Sequence, residues 1–254
     1  MPSKKNRDAR DAAVRSEIAR HLDILAEFLG KQQVVIDVSP LSKAAVQCRI
    51  FPISGNWGYD VENLIFRGLG EVKIFQNEFD NSNATITFSM TVKGKCEPRE
   101  DEDPLTALGM QIIMSGEYED DTDLKPAFSA WHLDRHNSES KSAFLHPLYH
   151  LSFGGMHLES QLDKKNTPVI LADTPRIAHL PMDAILGIDF VLTNFWQTSA
   201  LGFRNEGAYV NLLAESQRNL WKPYLDTLHG FWQPNSHLLP WSPLEIIPQL
   251  VNNR

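Results

Sequence analysis

The order of periodicities along this chain constrains its fold more than any single motif. Between about residues 32 and 160 the apolar side chains recur mostly at every second position, and after residue 175 they recur at helical spacing. The clearest alternation is "ATITFSMTVKG" at 84–94. It puts Ile86, Phe88, Met90 and Val92 on one face and Thr85, Thr87, Ser89 and Thr91 on the other, as in a strand buried on one side. "EVKIFQNEF" at 71–79 alternates before it, and "DNSN" at 80–83 is turn chemistry, so the two runs predict an antiparallel hairpin. "GMQIIMSGEYE", "AFSAWHLDRH" and "YHLSFGG" read as further strands. "QVVIDVS" and "AAVQCRIFPI", between Gln32 and Ile53, are also placed in the strand region, with "SGNWGYD" at 54–60 as a turn cluster. The total expected before residue 160 is about five to seven strands.

Helices are expected at both ends. Residues 8–29 carry an apolar stripe of Val14, Ile18, Leu22, Leu25 and Leu29, closed by Gly30 as a C-terminal cap. Past residue 180, Met182, Ile185, Leu186, Phe190 and Val191 share a helical face, with Pro181 in the first turn, and Leu212, Leu213, Leu220 and Trp221 continue the pattern. Ser242, Pro243 and Glu245 form a start signal for a last short helix that Pro248 limits. Strands first and helices later, without βαβ alternation, predict an α+β fold. The expectation is a single domain over 1–254, with 32–160 mainly strands and 180–254 mainly helices. The terminal helices pack on one side of a mostly antiparallel sheet.

The net charge of −8 is unevenly spread. Residues 1–20 hold six basic and three acidic side chains, giving +3, so the remaining 18 basic and 29 acidic give −11. An acidic body of this kind disfavours wrapping a phosphate backbone, which leaves nucleic acid only the basic N-terminal arm. No apolar run reaches the roughly 20 residues of a membrane span, and the first residues lack the apolar core of a secretory signal, so a cytoplasmic protein with no membrane partner is expected. Cys48 and Cys96 are too far apart in sequence for a zinc pattern or a disulfide framework, and Cys48, inside an apolar run, reads as a small buried side chain. The acidic stretches at 96–104 and 117–123 lack the alternating oxygen ligands and central glycine of a calcium loop and read as solvated loops.

Most of the legible chemistry is histidine. His132, His136, His146 and His150 have the spacing H-x3-H-x9-H-x3-H, a tempting ligand set for a divalent metal, the one cofactor the sequence suggests. Pro147 and the alternation of "YHLSFG" place His146 and His150 on an extended strand, about 13 Å apart at roughly 3.3 Å per residue. That is too far for a shared ion unless the chain turns at His146-Pro147. For acid–base chemistry, Asp134 can orient a neighbouring imidazole, while Arg176 and His179 can draw an anionic substrate. A nuclease reading would pair Asp60 with Glu71 and Lys73. There is no phosphate loop and no G-x-S-x-G elbow. The structural alternative has the imidazoles bonded to nearby main chain, pinning strand ends.

"HPLYHLSFGG", followed by "PRIAHLPMD" and "AILGIDFVLTNFW", resembles a group of uncharacterised bacterial proteins. In those, an H-P-x-x-H-L-x-(I/F)-G strand precedes an R-I-P-like segment and a helix ending in an aromatic pair. The resemblance covers about residues 130–196 and departs where Ala178, not proline, follows Arg176-Ile177. It implies a setting in mobile or defence-type operons and marks His146, Pro147, His150, Gly154 and Arg176. Taken together, the sequence is read as a non-catalytic protein-binding component of a bacterial defence system. Its partner would be an operon neighbour or a second copy, engaged through Trp221, Trp232 and Trp241. The alternative reading is a small histidine-dependent hydrolase or nuclease, metal-assisted or not, using His146, His150, Arg176 and Asp134.

Overall fold

The computed structural model describes residues 4–67, 84–99, 102–120, 123–136, 146–154, 176–196, 198–232, 241–248 and 250. Its elements run α1 (Lys4–Gln32), α2 (Ser39–Arg49), β1 (Asn56–Phe66), β2 (Thr85–Lys95), β3 (Leu105–Asp120), β4 (Asp123–Arg135), β5 (Tyr149–Phe153), β6 (Ile177–Ala178), α3 (Ala184–Phe195), α4 (Gly207–Ser216), α5 (Lys222–Gly230) and α6 (Pro243–Ile246). A 3-10 segment, Thr198–Asn205, precedes α4, and a π turn, Gln217–Trp221, joins α4 to α5. The six strands pair in the order β1-β2-β3-β4-β5-β6, every neighbour antiparallel. The fold is α+β, as the periodicities predict.

The alternation in β2 sets the two faces. Ile86, Phe88, Met90 and Val92 are buried, and opposite them on β3 lie Met114, Ile112, Met110 and Leu108. This inner face carries the helices. Burying each large aliphatic or aromatic side chain there contributes about 1.5–3 kcal/mol. α3 approaches so closely that a Cβ at Gly187 would stand 3.0 Å from the Phe88 ring and 3.1 Å from the Met110 sulfur. α1 buries Leu22, Leu25 and Leu29 of its predicted stripe, while Val14 and Ile18 are partly covered. It continues past Gly30 to Gln32, and the left-handed residue that ends it is Gln33, at φ 56°.

Several expectations are corrected here. Residues 39–49 form helix α2, not a strand. Leu41, Ala44, Ala45 and Cys48 recur at helical spacing and are all buried, Pro40 sits in the first turn, and Asp37 accepts the Ser39 N–H. The apolar richness of this segment was therefore helical. Asn56–Asp60, read as a turn, is the first half of β1, and the partner of β2 is β1. The expected partner at 71–79 and its turn at 80–83 lie outside the described residues. The acidic stretch at 117–123 is mostly strand, with Glu119 opposite Leu124 and Asp120 opposite Asp123. α3 starts at Ala184 and is capped by Asp183, whose carboxylate accepts the Leu186 N–H, so Pro181 lies before the helix. α6 has Pro243 in its first turn, but no Ser242 side-chain cap forms. Cys48 is buried, as read, Cys96 is buried too, and both are free; burial pushes the Cys48 thiol up to about 12. No described helix is long and apolar enough to cross a membrane.

Candidate functional site

Strand parity decides where the candidate side chains go. On β4, His132 and Asp134 alternate with the inward Trp131, Leu133 and Arg135. On β5, His150 and Ser152 stand opposite Asp134 and His132, on the face away from the helices. β6 pairs Ala178 with His150 and Ile177 with Leu151, which gives Arg176 the same outward parity. Past the end of β4, the His136 N–H donates to the Leu148 carbonyl at 2.6 Å. This pairing brings the chain at His146 back beside His136.

The imidazoles then form a row. The His136 and His146 ring centroids are 4.8 Å apart at an interplanar angle of 26°, and those of His146 and His150 are 5.3 Å apart at 32°. The expected separation of about 13 Å does not hold, because β5 begins at Tyr149 and the chain turns through Pro147 and Leu148. His146 is thus not part of the extended run that the separation assumed. His132, Asp134, His136, His146, His150 and Arg176 gather on one side of the sheet. His179 does not join them: its Nδ1 lies 2.9 Å from the Leu180 carbonyl, and its ring packs edge-on against Phe190 of α3.

Each ring has its own setting. His150 is buried, with Nδ1 3.2 Å from the Pro147 carbonyl oxygen. A carbonyl can only accept, so Nδ1 carries the proton and Nε2 keeps its lone pair. Burial, countered by that hydrogen bond and reinforced by His146, Arg176 and His132, lowers the His150 pKa to about 4. His132 places Nε2 3.5 Å from Asp134 Oδ2, the one carboxylate among the six. His136 and His146 stack, whereas His146 and His150 are tilted against each other. Among the described residues, one group brings three donor atoms within 4.8 Å of each other, and it is Glu17, His21 and Glu215 on the helix side. The four-histidine set therefore does not form a ready metal centre in this arrangement.

Beside the row runs a groove of about 260 Å³ across β1–β4, lined by Asp60, Glu62, Ser89, Thr91, Gln111, His132 and Asp134. Glu62 enters it at a bulge in β1 between Val61 and Leu64, where Asn63 takes the left-handed conformation at φ 53°. Gly109, between Thr91 and Asp134 in register, keeps the floor open. Glu62 and Gln111 were not singled out in the sequence. Parity together with strand order would have found them, but strand order was not legible. Asp60 lines the groove, whereas Glu71 and Lys73 lie outside the described residues.

The three tryptophans differ. Trp241 is buried and packs edge-on near Tyr224, Trp221 is partly buried and donates its indole N–H to the Pro181 carbonyl at 2.8 Å, and Trp232 is 69% exposed. Comparison with protein-family models, with curated proteins and with solved structures gives no match for this chain.

Proposed function

We propose that the outer face of the sheet is the site of a histidine-dependent hydrolase acting on an anionic ester. The observation that supports it is the gathering of His132, Asp134, His136, His146, His150 and Arg176 on one face beside an open polar groove. His132 serves as general base through Nε2, its ring nitrogen on the Asp134 side, and takes a proton from water; the Asp134 carboxylate stabilises the imidazolium that forms. The water oxygen bonds to the ester phosphorus or carbonyl carbon. The alkoxide that leaves takes the proton back from the imidazolium. Arg176 holds the anionic group, and the Nε2 lone pair of His150 accepts a hydrogen bond from the water. A proton-transfer group of this kind contributes about 10²–10⁴-fold. Hydrolysis of bis-p-nitrophenyl phosphate, p-nitrophenyl phosphate and p-nitrophenyl acetate tests this. His132→Gln should lower kcat/KM by about 100-fold or more, and Arg176→Gln should act mainly through KM on the phosphate esters. Turnover of none of the three, or turnover unchanged in both variants, defeats the proposal.

A second reading, binding of a partner protein, is supported by the exposure of Trp232 together with Val46 and Ile50, one helical turn apart at the end of α2. Light scattering after size exclusion, on wild type and Trp232→Ala, tests self-association. A single monomeric species in both removes a second copy as the partner.

A further inference from the structure

On the opposite side of the sheet from the histidine row, a cavity of about 360 Å³ lies among α1, the ends of β1 and β2, and the junction of α4 with α5. Its walls are mostly apolar, with Ile18, Leu22, Trp57 and Ile185 among them. A few polar groups converge on it, the usual make-up of a small-ligand site. Glu17 and His21 reach the wall from α1, where a spacing of four puts them on one face. Glu215 reaches it from the last turn of α4. The π turn follows at once, with the Lys222 N–H bonded to the Gln217 carbonyl. It places Asn219 and Leu220 on the same wall.

We propose that Glu17, His21 and Glu215 form a binding site for a first-row divalent metal ion, held in the apo chain by the guanidinium of Arg20. His21 Nε2 lies 3.1 Å from Glu17 Oε1 and 3.3 Å from Glu215 Oε2. Donors bonded to one ion at about 2.0–2.2 Å stand roughly 3.0–3.4 Å from each other, so His21 Nε2 already has that spacing to both carboxylates, and all three donors lie within 4.8 Å of one another. A cation occupies the place now. Arg20 Nη2 is 2.5 Å from Glu17 Oε1 and 2.8 Å from His21 Nε2. A guanidinium only donates, so that contact requires a lone pair on Nε2. With that lone pair, His21 cannot give a proton to either glutamate through the same nitrogen. Three electron-pair donors therefore converge, and a positive charge is what satisfies them. The Arg20 side chain is 53% exposed and can swing out, whereas the His21 side chain is 11% exposed and fixed. One nitrogen and two carboxylates suit manganese, iron(II) or zinc better than a soft ion. Three protein ligands leave coordination positions open toward the cavity, as in metal sites that bind a substrate.

Isothermal titration of the full chain with manganese chloride and with zinc chloride tests this. Wild type should bind one ion at this site. His21→Gln and Glu215→Gln should weaken that ion at least tenfold with unchanged circular dichroism. Arg20→Ala should bind it more tightly than wild type, because the resident cation is gone. Binding that survives in both ligand variants, that is lost in His146→Gln instead, or that is absent from both wild type and Arg20→Ala overturns the site. The esterase assays of the outer face are independent of this result.

Discussion

Strands β4 and β5 carry polar residues on both faces, and the two faces treat them differently. Inward, the Tyr149 hydroxyl donates to both oxygens of Asp103 at 2.7 Å, Arg135 Nε donates to the same carboxylate at 2.8 Å, and the Leu105 N–H donates at 3.0 Å. This network is enclosed, and burial with the Asp103 charge pushes the Tyr149 pKa well up. Outward, one residue along, Asp134 and His132 line a groove, His136 and His146 stack, and His146 and His150 pack at a tilt. Directional hydrogen bonds with every charge matched make a structural lock. The contrast teaches that polar residues adjacent in a strand can serve opposite ends, sorted by parity alone.

The contrast can be broken most forcefully from inside. Asp103→Ala should cost about 3 kcal/mol in urea denaturation, since it leaves the Arg135 charge partly buried without its carboxylate; a loss below about 1 kcal/mol would erase the distinction between the faces. Next comes pH. His150 has an ordinary value of 6.5 and a folded value of about 4, so as pH falls the unfolded chain takes up this proton first. Its contribution is whole above about 6.5, drains away between 6.5 and about 4, and amounts to on the order of 3 kcal/mol. His150→Gln should flatten the stability profile across that window, and an unchanged slope would count against the buried neutral ring. Tyr149→Phe should cost about 1 kcal/mol, because Asp103 keeps its other donors. The smallest effect is expected from Arg176→Gln. Removing that charge should move the His150 titration upward with little change in stability, as read by NMR.

The fold class was legible because β2 alternates cleanly and α3 does not. Residues 39–49 were not, since Ala44, Ala45 and Val46 satisfy either period over so short a run. The site was legible in composition but not in geometry. His132, His136, His146 and His150 stand out in the sequence, yet their separation depends on where β5 begins, and a start at Tyr149 turns an extended pair into neighbouring rings. Glu215 could not be linked to Glu17 and His21, because a contact nearly two hundred residues apart depends on how α4 packs against α1.

The gathering of the imidazoles is most directly tested by proton–proton NOEs between their ring protons at neutral pH. Cross-peaks should link His136 with His146 and His146 with His150, with none joining this row to His179. If the His146 ring protons show no cross-peak to either neighbour, the row does not exist and the outer face is not the site.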